Sequence, residues 1–179
     1  QRHAVRRGLT HVLWQRLRSL GVCGRMLAAL QAFYSEPTVA TKVAGRVGEP
    51  AVTKTGVRQG CPLSPTLFGV FIDALEPWLR AQAPDVGIPI QTARGMTRHL
   101  SALIYADDIA LLANTPTALQ QLLDNLCSFC KDTGMDIRLS KTKVMQFLPR
   151  LRSRSRSASS QHQFILDTAV LENVDSYKY

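Results

Sequence analysis

Two adjacent carboxylates, Asp107 and Asp108, are the residues of this sequence whose type and spacing best suit chemistry. They separate two apolar runs, 100–105 and 109–113, which predict a β-hairpin with the acidic pair at its tip. Burying both charges would be costly, because each loses hydration and the two repel each other. A divalent cation in a cleft would offset both costs, and oxygen ligands suit Mg²⁺. The alternative is a solvated turn, since Asp is common in turns.

The composition is typical of a globular protein. It has 179 residues, of which 45% are hydrophobic and 20% charged, and this balance excludes a mostly disordered protein. No stretch approaches about 18 consecutive apolar residues, so we expect no transmembrane helix and no membrane partner. The polar, Arg-rich N-terminus lacks the apolar segment of a signal peptide. An intracellular location is expected because the chain has only four cysteines.

Positive charge is concentrated in the first third of the chain. Residues 1–60 contain ten basic and two acidic residues, a net charge of +8, whereas the whole chain carries +9. A basic segment of this kind fits a polyanionic partner such as nucleic acid. A basic face that only confers solubility is the alternative.

Four cysteines are too few for a disulfide scaffold. Cys127 and Cys130 form a CxxC pair inside a helical pattern, where a spacing of three places both on one face. Cys23 and Cys61 are isolated in the sequence. A structural zinc site normally needs four ligands, so we favour ordinary packing for the CxxC pair.

Helical and strand patterns alternate along the chain, which favours the α+β class. Thr10, Ser64 and Thr115 are predicted helix N-caps, the last two each followed by a proline, and Pro77 is predicted to kink or end its helix. Strands are predicted at 38–43, 51–55, 87–91, 135–139, 144–148, 164–166 and 169–171.

The acidic pair belongs to an ordered set of motifs. The tetrapeptide 105–108 reads YADD, residues 58–65 before it read RQGCPLSP, and residues 139–143 after it read LSKTK. This set resembles reverse transcriptases, most closely those of non-LTR (LINE-type) retrotransposons. The resemblance extends from about Val12 to Tyr179, which is nearly the whole chain.

The resemblance implies roles for the hairpin residues. Asp107 corresponds to the carboxylate that binds the catalytic metals, and Asp108 to the one that supports the site, so both are candidate catalytic and metal-binding residues. Tyr105 is a candidate nucleotide- or template-binding residue beside them.

Further binding residues are implied on either side of the hairpin. Arg58, Gln59 and Gly60 correspond to the loop that contacts the template and the incoming nucleotide. Glycine lets the backbone approach a base pair, and glutamine offers both a donor and an acceptor. Lys141 and Lys143 fall in a motif where one lysine would neutralise or protonate the leaving pyrophosphate; which of the two does so stays open. A solvated pair at a strand end is the alternative for both.

The implied function is RNA-directed DNA polymerisation by nucleotidyl transfer. A primer 3′-hydroxyl would attack the α-phosphate of a deoxynucleotide, with two Mg²⁺ ions as cofactors. The implied partners are an RNA template, a DNA primer, the dNTP and the remainder of a polyprotein, and the implied location is nuclear.

The implied fold is a polymerase-palm-like antiparallel sheet packed on helices, with a catalytic-type β-hairpin at 100–113. Residues 1–179 would form a partial reverse transcriptase domain without the first motif strand, the fingers and the thumb. Residues 149–162 form a low-complexity Arg/Ser insertion within it, interpreted as solvated or as a localisation, RNA-contacting or phosphorylation segment.

The chain departs from the family at a second metal-binding carboxylate. The family places this Asp on a separate strand, in a segment such as Lys-Ala-Phe-Asp, whereas the corresponding stretch here is Ala4-Val5-Arg6-Arg7. The first Asp in the sequence is Asp73. We therefore expect that this chain alone does not polymerise. Two alternatives are a catalytically dead palm remnant that binds nucleic acid or proteins, and a globular domain independent of nucleic acid.

Overall fold

The computed structural model describes residues 2–35, 38–49, 51–52, 61–93, 95–147 and 162–177. The described residues do not include the predicted template and nucleotide contacts Arg58, Gln59 and Gly60. They also do not include the Arg/Ser insertion, apart from His162. In the described part, no helix is both long enough and apolar enough to cross a membrane.

The described residues combine five helices with short strands, which confirms the α+β class. The helices are α1 (Arg2–Ser19), α2 (Gly24–Ser35), α3 (Leu63–Ile72), α4 (Leu75–Gln82) and α5 (Pro116–Thr133). The strands are β1 (Thr38–Val39), β2 (Lys42–Val43), β3 (Arg46–Val47), β4 (Ala51–Val52), β5 (Ile88–Gln91), β6 (Thr97–Leu100), β7 (Ala102–Tyr105), β8 (Asp108–Leu111), β9 (Lys143–Val144), β10 (Ile165–Leu166), β11 (Ala169–Val170) and β12 (Glu172–Asn173).

The strands associate in pairs. Five pairs are antiparallel, namely β1–β4, β2–β3, β5–β6, β7–β8 and β10–β11, and β9 pairs with β12 in parallel. By contact density the chain divides into two compact units, residues 1–75 with 132–134, and residues 76–131 with 135–179.

The first unit is built around its helices. Helix α1 packs against α3, and both bury leucine or phenylalanine side chains, including Leu13, Leu17 and Phe71. An ion pair joins Arg16 of α1 to Asp73, the residue that follows α3.

The predicted start of α1 at Thr10 is wrong, because the helix already begins at Arg2. The Ala and Arg residues that precede Thr10 are good helix formers.

Two predictions about α3 and α4 are wrong. Ser64 is not an N-cap, because α3 begins at Leu63 after Pro62, whose backbone is already helical, and the buried Ser64 hydroxyl lies 3.3 Å from that of Tyr34. Pro77 does not end a helix. The break comes earlier, between Ile72 and Leu75, and Pro77 occupies the first turn of α4, where its missing N–H has no intrahelical partner to lose.

Helix α5 forms as its sequence predicts. The Thr115 hydroxyl accepts a hydrogen bond of 3.2 Å from the Ala118 N–H, which is the expected N-cap. Gly134, with φ of 73°, follows the last helical residue. The predicted apolar stripe is buried or partly buried; it consists of Leu119, Leu122, Leu123, Leu126 and Phe129.

The core of the second unit lies against α5. Phe164 and Leu166 from the last hairpin and Val144 from β9 are buried in one cluster with Leu123 of α5. Leu111, at the base of β8, packs against this cluster and so anchors the β7–β8 hairpin to the core.

The predicted strand at 135–139 is absent. The Arg138 carbonyl accepts hydrogen bonds from the N–H groups of Lys141 and Thr142 and from the Thr142 hydroxyl, which fold this segment into a turn. A local side-chain bond of this kind competes with strand pairing.

The exposed edge of β10 is bridged by a side chain. The Gln120 amide donates to the Ile165 carbonyl over 2.7 Å and accepts from the Ile165 N–H over 2.9 Å. A single glutamine therefore satisfies both main-chain groups of this strand residue.

Candidate functional site

The acidic pair lies at the end of a regular two-stranded hairpin. Strands β7 and β8 pair with Tyr105 directly opposite Asp108, so that Ala106 and Asp107 form a two-residue loop. Two-residue loops need positive φ values to match the twist of the strands, and Ala106 has a φ of 52°. The turn thus places both carboxylates within one tight loop and its closing pair.

The faces of the hairpin differ in burial. Side chains directly opposite each other in an antiparallel pair share a face, and successive residues alternate between faces. Tyr105 and Leu103 lie on the open face and are 80% and 54% exposed, whereas Ala102 on the other face is 7% exposed. Asp108 therefore shares the open face with Tyr105, and the structure brings these two predicted site residues together.

Both carboxylates are exposed rather than enclosed. Among the described residues, neither Asp107 nor Asp108 accepts a side-chain hydrogen bond or forms an ion pair. The two charges are therefore not buried, as the alternative of a solvated turn predicts, because the tip extends beyond the packed base of the hairpin at Leu111. Water hydrates and screens the two charges instead.

The donor atoms of the pair suit a hard cation. Mg²⁺ prefers oxygen ligands and commonly binds one or two protein carboxylates together with waters and substrate phosphates. Across the described ranges, no group of three or more His, Cys, Asp and Glu side chains is placed to hold a metal. Asp107 and Asp108 thus fit Mg²⁺ in chemical type, and their oxygens could provide part of its coordination shell.

The two candidate lysines are in different environments. Lys143 lies in β9 opposite Glu172 of β12, and its ammonium is 2.5 Å from that carboxylate. Lys141 is exposed in the preceding turn, and within the described part of the chain its ammonium forms no ion pair. Its carbonyl accepts a hydrogen bond of 3.3 Å from the Tyr177 hydroxyl. The charge of Lys143 is therefore engaged within the fold, whereas that of Lys141 is available.

Cys61, which the sequence showed as isolated, has defined partners. The Tyr34 hydroxyl donates to its sulfur over 3.5 Å. This bond lowers the pKa of the Cys61 thiol, and a hydrogen bond from the Leu63 N–H lowers it to a smaller extent, because both stabilise the thiolate. In the sequence, the only feature that could have indicated this environment was the position of Cys61 just before the start of a helix. In contrast, burial raises the pKa of Cys130 to about 11, in keeping with a packing role.

The comparison with known families agrees with the motifs. Residues 10–178 match the family model described as reverse transcriptase (RNA-dependent DNA polymerase). The chain belongs to the reverse transcriptase family. The resemblance to the enzymes of non-LTR retrotransposons is also confirmed, because the similar proteins include polyproteins of such elements.

Two relatives of this reverse transcriptase domain are retroelement polyproteins. The chain is 28% identical over 174 residues to the Pol polyprotein from type-2 retrotransposable element R2DM of Drosophila melanogaster, covering 96% of the chain and 16% of the polyprotein. It is 29% identical over 141 residues to the Pol polyprotein from type-1 retrotransposable element R2 of Nasonia vitripennis, covering 77% of the chain and 13% of the polyprotein.

A third relative matches a shorter stretch of the chain. A transposon-derived protein of Caenorhabditis elegans is 34% identical over 85 residues, which cover 46% of the chain and 28% of that protein. The reverse transcriptase chain therefore spans a small fraction of the length of the relatives it matches.

Proposed function

We propose that this chain is part of the palm of an RNA-directed DNA polymerase and that the β7–β8 hairpin bears its catalytic carboxylates. The observation that carries the proposal is the register of the hairpin, which puts Asp107 in the turn and Asp108 opposite Tyr105. This arrangement occurs within a chain that matches the reverse transcriptase family over residues 10–178.

The proposed reaction joins a deoxynucleotide to a DNA primer on an RNA template. Asp107 and Asp108 would hold Mg²⁺, which supplies charge stabilisation at the attacking and leaving oxygens when it is bound. The 80% exposed ring of Tyr105 lies beside Asp108, where it offers a surface for a base or sugar. Arg58, Gln59 and Gly60 remain proposed contacts for the template and the nucleotide.

We assign the pyrophosphate contact to Lys141. The Lys143 ammonium is already paired with Glu172, and breaking that pair would cost the fold part of its stability, whereas Lys141 is exposed without an ion-pair partner among the described residues. An available ammonium near a leaving group can neutralise its charge or donate a proton.

The two lysines should respond differently to removal. In a polymerase-active polypeptide that contains this chain, Lys141→Ala is expected to lower kcat by about 100-fold or more, the usual contribution of a general acid. Lys143→Ala is expected to keep kcat but lower the free energy of unfolding by about 1 kcal/mol, as for an ion pair near the surface with one partner half-buried. Single-nucleotide incorporation and urea unfolding measure both quantities, and the reverse pattern would contradict the assignment.

The chain alone is expected to be inactive. The described residues bring no third carboxylate to Asp107 and Asp108, and no Asp precedes Asp73 in the sequence. Template-primed dNTP incorporation by the purified 179-residue chain with Mg²⁺ should therefore stay at background. Incorporation that Asp107→Asn abolishes would overturn this expectation.

The relatives support a larger working unit. They are Pol polyproteins of which the chain matches 16% and 13%. We propose that the chain acts when joined to fingers and thumb segments of such a polyprotein, inside the nucleus.

A second candidate function is binding without catalysis. The net charge of +8 over residues 1–60 favours it, because a basic surface binds nucleic acid whether or not the carboxylates are active. An inactive full-length polypeptide that still binds an RNA–DNA duplex would support this candidate over the polymerase.

A further inference from the structure

Residues 38–49 and 51–52 form four short strands in two antiparallel pairs, which we call the basic ribbon. Strand β2 pairs with β3, and β1 pairs with β4 farther from the turn. Between the two pairs, the Gly48 N–H donates to the Thr41 carbonyl over 2.8 Å. This bond extends the β2–β3 ladder by one pair beyond Lys42 and Val47.

The turn of the basic ribbon is regular. Ala44 and Gly45 have φ values of 49° and 80°. Positive φ at both central residues is the property of the type I′ turn, whose twist matches that of the flanking strands. The ribbon is thus a defined hairpin whose tip has a fixed register.

The outer part of the basic ribbon is exposed. Every residue of 40–49 is exposed, and Val43 and Val47 are 73% and 66% exposed. Lys42 and Arg46 form no ion pair with any described residue, and Glu49 is the one acidic residue of 40–49. An isolated two-stranded hairpin that leaves valines and unpaired cations in water gains little stability from its own contacts.

The two cations lie on opposite faces of the ribbon. Lys42 is directly opposite Val47, and Val43 is directly opposite Arg46, so each face has one cation beside one valine. A flat acidic surface would meet only one of these faces. A groove with phosphates along both walls would meet both.

We infer that the basic ribbon enters the major groove of duplex DNA, with Lys42 and Arg46 directed to the phosphates of opposite walls. The major groove of B-form DNA is about 12 Å wide and admits a two-stranded β-ribbon. Each valine would then lie beside a cation against one wall, and the turn residues Ala44 and Gly45 would face the groove floor. The net charge of +8 over residues 1–60 adds attraction to the same polyanion.

The geometry favours B-form DNA over the RNA–DNA duplex of the proposed reaction. A-form helices have a deep, narrow major groove and a wide, shallow minor groove. The A-form major groove is too narrow for a ribbon. The A-form minor groove is too open for both faces of the ribbon to reach phosphates. The ribbon is therefore proposed to bind a DNA duplex other than the template–primer duplex, and this binding does not depend on catalysis by Asp107.

The test measures binding of the purified chain to a fluorescent DNA duplex, and to an RNA–DNA duplex of the same sequence, by anisotropy at several KCl concentrations. For the double variant Lys42→Ala/Arg46→Ala, the slope of log K against log salt should become less negative by about 2, since each phosphate contact contributes about 0.9. Val43→Ser/Val47→Ser should weaken DNA binding and leave the slope unchanged. Circular dichroism checks that each variant is folded.

The matched control removes two exposed cations outside residues 1–60, as Arg98→Ala/Arg138→Ala, and should keep the wild-type slope. An equal change in the control, an unchanged slope in the ribbon variant, or an equal loss for the RNA–DNA duplex would each overturn the inference. Failure of the wild-type chain to bind duplex DNA would overturn it as well. None of these results affects the polymerase proposal, which is judged by nucleotide incorporation.

Discussion

Asp107→Asn is expected to abolish primer extension by a polymerase-active polypeptide that contains this chain, lowering kcat by about 1,000-fold or more. The substitution removes the charge that would hold Mg²⁺ while keeping the size of the side chain. Asp107 is exposed and has no partner among the described residues, so the melting temperature should stay unchanged. Single-nucleotide incorporation and thermal unfolding of the same preparations separate the two effects.

Two other carboxylates provide the comparison. Asp108→Asn should also lower kcat, but by less, because its proposed role is to support the site. Asp85→Asn changes an exposed carboxylate in the turn after α4 and should leave kcat at its wild-type value. Full activity in Asp107→Asn, or an equal loss in Asp85→Asn, would show that the hairpin does not bear the catalytic charge.

Gly87→Ala is expected to destabilise the fold by about 3 kcal/mol or more, which is large for one methyl group. Gly87 has a φ of 137°, a value that residues with a Cβ rarely adopt. A Cβ at this position would lie 2.7 Å from both the carbonyl carbon and the carbonyl oxygen of Leu100, which is backbone and cannot rotate away. The β5–β6 pair, in which Ile88 is opposite Leu100, would have to shift. Urea unfolding followed by circular dichroism measures the loss.

A second glycine separates the steric effect from the conformational one. Gly95 has a φ of 75°, and a Cβ there would meet no atom within 4 Å. Gly95→Ala should therefore cost only the conformational strain of about 1 kcal/mol. Equal losses in the two variants would mean that the close approach of Gly87 to Leu100 does not constrain the fold.

Local signals in the sequence were sufficient for some elements. Helix α5 follows from a threonine cap, a proline at its first position and an apolar stripe of helical period, all of which act within one helix. The strand predicted at 135–139 failed because alternation alone does not reveal that the Arg138 carbonyl bonds to Lys141 and Thr142. Ser64 failed as a cap because its hydroxyl lies near Tyr34, which is 30 residues earlier.

For the candidate site, too, the sequence informs about residue types and order but not about distant contacts. The motifs predicted Asp107, Asp108 and the lysine pair as site residues, since residue types and order are properties of the sequence. The sequence left open whether the carboxylates are enclosed or solvated, because this depends on how far the tip extends beyond the anchor at Leu111. The choice between Lys141 and Lys143 likewise required Glu172, which lies 29 residues beyond Lys143.

The bridge between Gln120 and Ile165 has a consequence for self-association. An open strand edge is a template on which another chain can add a strand, and proteins protect such edges to avoid aggregation. At Ile165 both main-chain groups are already occupied by the Gln120 amide. Fibril-like stacking of copies of this chain therefore cannot start at that residue unless the glutamine is first displaced.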